Sequence, residues 1–185
     1  MSGHFSWYVA RSSGFVAWGI ALASILWGLA YAARFFGRRP APWWMLGMHR
    51  WLGALAVVFT GVHVVAILAN HYVHFGVLDV LIPMRASWHP LAVAWGIVAT
   101  YLLIAVEVTS LVKHRLPHPV WHAIHLSSYA LFAFATVHLL SAGTSSKSLL
   151  TTGVSVSLGC LVVLLAALAY AVRTEPEPVP ARNTR

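Results

Sequence analysis

The sequence is short of charge. Only 9% of its 185 residues are Asp, Glu, Lys or Arg, and just four are acids, Asp79, Glu107, Glu175 and Glu177. A soluble domain carries about 25% charged residues, so this scarcity, beside 59% hydrophobic residues, excludes one. Cysteine is nearly absent as well. The single Cys160 excludes an intrachain disulfide and any multi-cysteine metal or iron–sulfur cluster on this chain. There is no Gly-rich phosphate loop, no GxG-type dinucleotide fingerprint and no repeat of fixed period, so no flavin or nicotinamide domain is expected here. The formal net charge is +8, yet the basic residues sit at the ends of apolar blocks and form no stripe interleaved with aromatics. Nucleic acid is therefore not an expected partner.

What is present is hydropathy in five blocks, each near or above the roughly 20 residues that a helix needs to cross the hydrocarbon core. They run over about 15–36, 42–69, 91–112, 119–141 and 149–172. The first is too long for a signal-peptide core and reads as a span. The expected fold is all-α, an integral membrane bundle of five transmembrane helices over 1–173, followed by a short disordered tail over 174–185 containing Pro176, Pro178 and Pro180. Nine of the twelve Lys and Arg fall on one side of these spans, and Arg11, Arg85 and Lys147 on the other. The positive-inside rule then places the N-terminus outside and the C-terminus in the cytoplasm. The second and fourth spans run parallel, from inside to outside.

Those two spans carry histidines inside apolar sequence, where polar side chains are costly and suggest function. His49 and His63 are fourteen residues apart, close to four helical turns, so they share nearly one face and differ in depth by roughly 20 Å. His125 and His138 are thirteen apart, a similar rise. Parallel direction pairs His49 with His125 near the inside and His63 with His138 near the outside. Two facing imidazoles are the axial ligands of a bis-histidine b-type haem, and two such pairs would make a two-haem wire. Thirteen residues, however, turn an ideal helix about 140° from its starting direction. The fourth span must bend, loosen a turn, or carry its two groups on different flanks. Structural zinc is a weaker candidate, because it needs four N or S ligands at one point.

The stretches HRWLGALAVVFTGVH (49–63), VTSLVKHRLP (108–117) and WHAIHLSSYALFAFATVH (121–138) resemble the ferric reductase-like transmembrane domain. That family includes NADPH oxidases, iron reductases and the haem subunit of the periplasmic methionine sulfoxide reductase system. RSSGFVAWGIALASILWGLAY (11–31) is similar to the opening helix of bacterial members. The resemblance spans nearly the whole chain, and the fourteen-plus-thirteen histidine spacing is its most specific feature. It implies two b-type haems, the inner on His49 and His125 and the outer on His63 and His138, in a bacterial plasma membrane. Methionine sulfoxide reductase haem subunits usually have arginine where this chain has His49, which favours two haems here. Unlike the oxidases, this sequence is expected to carry no flavin domain after the last span and no further N-terminal helix.

The expected function is a di-haem membrane cytochrome that takes electrons from a cytoplasmic-side donor, a separate flavoprotein or quinol. It passes them to ferric iron, dioxygen or an extracytoplasmic redox protein. One alternative is the haem subunit of a methionine sulfoxide reductase-like system; another is a haem-free structural or assembly protein. Arg50 is a candidate partner for an inner propionate, and Arg85 or Lys147 for an outer one. His71, His74 and His89 read as interfacial, with metal binding beside the outer haem as the alternative. His114, His118 and His122 read as surface groups at the basic turn, and Glu107 as the partner of that turn through Lys113.

Overall fold

The computed structural model describes residues 2–32, 43–70, 75–142 and 149–174. These residues form helices α1 (Ser2–Ala32), α2 (Trp43–Leu68), α3 (Val77–Leu81), α4 (Pro90–Leu111), α5 (His118–Leu126), α6 (Ser128–Ala142) and α7 (Leu149–Thr174), with a 3-10 turn at Lys113–Arg115. No strand occurs among the described residues. Arg34, Arg38, Arg39, His71, His74, Lys147 and the tail beyond Thr174 lie outside them.

Four stretches are long and apolar enough to cross a membrane: Phe5–Ala32, Trp43–Leu68, Pro90–Leu111 and His118–Ala142. A shorter apolar stretch, Thr152–Ala167, lies within α7. Large apolar side chains face outward along them, including Val58, Val65, Leu111 and Val163, as a lipid solvent requires. The interior includes many small residues, among them Ala56, Ala66, Ala92, Ala94 and Ala99. Small residues let helices approach closely where no hydrophobic effect drives them together.

The first helix begins well before Phe15, where hydropathy alone places the first span. Ser12 and Ser13 interrupt the apolar run but not the helix. The Ser13 hydroxyl donates to the Val9 carbonyl at 2.6 Å and that of Ser12 to the same carbonyl at 3.3 Å, so their polarity is absorbed within the turn. The helix therefore continues back through Arg11 and Trp7. α1 packs along α2 and α4 along α6, giving two helix pairs. Trp18 of α1 stacks on Phe132 of α6, with ring centres 5.4 Å apart, and its indole N–H donates to Thr136 Oγ1 at 2.9 Å. Together with Leu22 and Val162 of α7 these side chains form the buried cluster that joins the two pairs.

The fourth span is not one continuous helix. It divides at Ser127, whose N–H reaches the Ile124 carbonyl at 3.1 Å in a tightened turn, and whose hydroxyl bonds the same carbonyl at 2.6 Å. Leu131 N–H then restarts the α pattern on the Ser127 carbonyl at 2.9 Å. A turn tighter than α advances each residue by more than 100°. The thirteen-residue interval thus acquires rotation that an unbroken helix would not supply.

Candidate functional site

The histidines of α2 face those of α5 and α6 in two couples. The rings of His49 and His125 have centres 5.8 Å apart at 73°, and those of His63 and His138 are 6.2 Å apart at 82°. A metal–imidazole nitrogen bond is about 2.0 Å. With the ring centre a further ~1.1 Å behind the nitrogen, two imidazoles on opposite sides of one metal stand roughly 6 Å apart. Both couples match that separation. Two imidazoles per level are the donor set of an axially ligated haem and too few for a four-ligand structural zinc. No group of three or more His, Cys, Asp or Glu able to hold a metal gathers among the described residues.

Three of the four rings are fixed by one local device. His63 Nδ1 donates to the Ala10 carbonyl at 2.6 Å, His49 Nδ1 to that of Ser24 at 3.1 Å, and His138 Nδ1 to that of Ala92 at 2.8 Å. A carbonyl only accepts, so the proton sits on Nδ1 and the lone pair on Nε2, the tautomer that binds a metal. Four residues after each carbonyl stands a glycine: Gly14, Gly28 and Gly96. A Cβ at Gly14 would come within 2.8 Å of His63 Nδ1, one at Gly96 within 2.8 Å of His138 Nδ1, and one at Gly28 within 3.2 Å of His49 Cε1. The missing side chains are what let the rings reach the backbone. Hydropathy does not reveal this; the matched interval does, since Gly14 and Gly28 are fourteen residues apart on α1 as His49 and His63 are on α2.

His125 is held differently. Thirteen residues beyond Ala92 and Gly96 stand Ala105 and Thr109, and the Thr109 hydroxyl already donates to the Ala105 carbonyl at 2.7 Å. His125 Nδ1 is buried with no hydrogen-bond partner among the described residues. Trp121, one turn earlier, stacks on the ring with centres 5.2 Å apart at 25°. The indole is itself set by Ser110 Oγ at 3.4 Å and by the Lys113 ammonium 5.7 Å over its face. Trp121 thus positions a histidine, a role that its apolar context concealed.

The His63/His138 couple opens into a cavity of about 440 Å³ between α1, α2, α4 and α6. That lies within the range of about 300–1,000 Å³ typical of organic ligand and cofactor sites. Its lining is mostly Ala, Val, Leu and aromatic, with Arg11 and Asn70 among its polar members. Arg11, placed 5.1 Å over the Trp7 ring, is the Lys or Arg lining it among the described residues, a position that its place among the topology charges of the sequence does not reveal. Arg85 is engaged elsewhere: exposed, it pairs with Asp79 at 3.7 Å, while Asp79 also accepts the Gly76 N–H at 2.9 Å and so braces α3.

Arg50 lies exposed beside His49. His89, exposed, opens α4 in a left-handed conformation at φ 42° and packs edge-on against Trp88. His118 and His122 stack on each other at the start of α5. Glu107 corrects the expectation of a pair with Lys113. Its carboxylate lies against Gly53 of α2, and no ion pair to it occurs among the described residues.

No protein-family model, curated protein or solved structure matches this chain. Its functional reading rests on its own residues.

Proposed function

We propose that this protein is a di-haem b-type membrane cytochrome of the ferric reductase-like kind. It spans the membrane five times with its N-terminus outside and its C-terminus in the cytoplasm. His49 and His125 hold the inner haem, and His63 and His138 the outer. The observation that carries this is the pair of facing imidazole couples, whose ring centres stand at the separation of two imidazoles on one metal, with three of the rings tied through Nδ1 to a carbonyl so that Nε2 is left as the metal-binding nitrogen. A haem held in this way supplies one-electron transfer.

The chain's own residues bind, orient and insulate. The carbonyl–histidine bonds fix ring direction and raise ligand basicity, the Trp121 stack steadies the ring that lacks such a bond, and the apolar cavity walls keep water from the outer level. Arg11 is placed to receive a propionate carboxylate through a charge-assisted bond; Arg50 is the inner candidate. Electrons enter from a separate flavoprotein or quinol on the cytoplasmic side. They leave to ferric iron, dioxygen or an extracytoplasmic redox protein.

The test is haem content in four variants produced with ample haem. His63→Ala and His138→Ala should each lose the outer haem and keep the inner, and His49→Ala and His125→Ala the reverse. Spectra and potentials that do not group two by two would overturn the pairing.

A further inference from the structure

Glu107 is an acid within an apolar span, and an intramembrane carboxylate ordinarily has a partner or a task. Lys113, the nearest lysine in sequence, is turned toward the Trp121 ring, and the carboxylate instead meets the backbone of α2 at Gly53. Gly53 is buried, and a Cβ there would collide with Glu107 Oε1. The two helices have therefore left space for this carboxyl group at their crossing.

Its depth follows from the helical rise. Gly53 is four residues from His49 and ten from His63, about 6 Å and about 15 Å along the axis. On α4, Glu107 is eleven residues from Gly96, the seat of His138, or roughly 16 Å. Both counts place the carboxyl between the two histidine levels, nearer the inner one. The other titratable or charged groups on the elements packed around α4 at this end are His49 and Arg50 on α2, His118, His122 and His125 on α5, Tyr129 on α6, and Lys113, His114 and Arg115 in the turn.

Resting on the cytochrome reading above, we propose that Glu107 is a proton-binding site coupled to electron arrival at the inner level. One electron from a reduced flavin or quinol reaches the group held by His49 and His125. One proton from the cytoplasmic side then forms an O–H bond on the Glu107 carboxylate, cancelling the added charge in a medium that screens poorly. When the electron moves outward the O–H bond breaks and the proton leaves. A carboxylate lodged against backbone with no ion pair among the described residues suits such a cycle, because a fixed partner would hold it ionised.

The test is a redox titration of the purified, haem-loaded protein at several pH values, comparing wild type with Glu107→Gln and Glu107→Asp. The inner haem potential of the wild type should fall as pH rises, with a slope approaching one proton per electron, while the outer haem potential responds less. Glu107→Gln should abolish most of that slope, and Glu107→Asp should retain it over a displaced pH range. In the redox-difference infrared spectrum, a carboxylic-acid band of the wild type should vanish in the Gln variant and shift in the Asp variant. If the Gln variant does not fold, the Asp displacement and its infrared shift decide. Haem binding with a pH-independent inner potential, or a slope untouched by both substitutions, overturns this inference alone. Absence of haem from the wild type overturns it together with the cytochrome reading.

Discussion

At the scale of single residues the site depends on side chains that are absent as much as on those present. Each of Gly14, Gly28 and Gly96 is the floor on which one histidine ring reaches a carbonyl. Gly96→Ala should drive His138 off the Ala92 carbonyl and remove the outer haem while sparing the inner, as haem quantification and redox titration would show. Retention of both haems would mean that the ring tolerates a shift of several tenths of an ångström. Arg11 gives a second expectation. A hydrogen bond to a charged group is worth about 1.5–3 kcal/mol, so Arg11→Ala should weaken outer-haem retention by about tenfold or more. The rate of haem transfer to a high-affinity acceptor protein reads this. Equal rates for wild type and variant would remove Arg11 from the site.

The four histidines were legible in the sequence because intramembrane imidazole is rare and the depth arithmetic of two parallel helices is simple. Arg11 was not, since one arginine near a span end reads equally as a headgroup contact; only the backward extension of α1 brings it over the cavity. Glu107 departs from expectation for a related reason. Sequence proximity to Lys113 suggests a pair, whereas the side chain leaves α4 on the face that meets Gly53 of α2.

At the scale of elements, the decisive feature is the division of the fourth span at Ser127. The boundaries of α2 and α4 follow hydropathy closely, each beginning and ending within one residue of the block expected from the sequence, whereas α1 starts well before its block. Hydropathy carries no phase, however, and the thirteen-residue interval left the direction of His138 open. The tightened turn is encoded by a serine whose hydroxyl takes the Ile124 carbonyl, a local competition with the helix that an apolarity profile does not register. Inserting one alanine directly after Ser127 would turn α6 by about 100° relative to α5. The outer haem should be lost and the inner kept. A variant retaining two low-spin haems would show that the break, and not the interval, sets the phase. Between elements, Trp18→Phe should preserve the stack on Phe132 but forfeit the bond to Thr136, lowering thermal stability by about 0.5–1.5 kcal/mol with both haems in place.

At the scale of the molecule, two helix pairs face each other across a seam, α1 with α2 and α4 with α5 and α6. In three of the four cases the histidine of one helix is tied to the backbone of its own pair partner. Each pair is thus able to orient its ligands before the seam closes, and the cofactors would join the halves. The small-residue interior leaves room at the seam, and the large apolar side chains turned outward match the surface to lipid. In the proposed orientation, which follows the unequal distribution of Lys and Arg, the His63/His138 level faces outward. Single-cysteine labelling in a Cys160→Ser background should find a cysteine at Phe5 reachable from outside intact cells and one at position 182 reachable only after permeabilisation.

The central claim is that the two couples each hold a haem. The most direct measurement is a reduced-minus-oxidised absorbance spectrum, with pyridine haemochrome quantification per polypeptide, on wild-type protein purified after growth with ample haem. The facing imidazoles predict two low-spin b haems per chain. A protein that is folded and free of haem under those conditions would contradict the claim and leave the four histidines as packing groups.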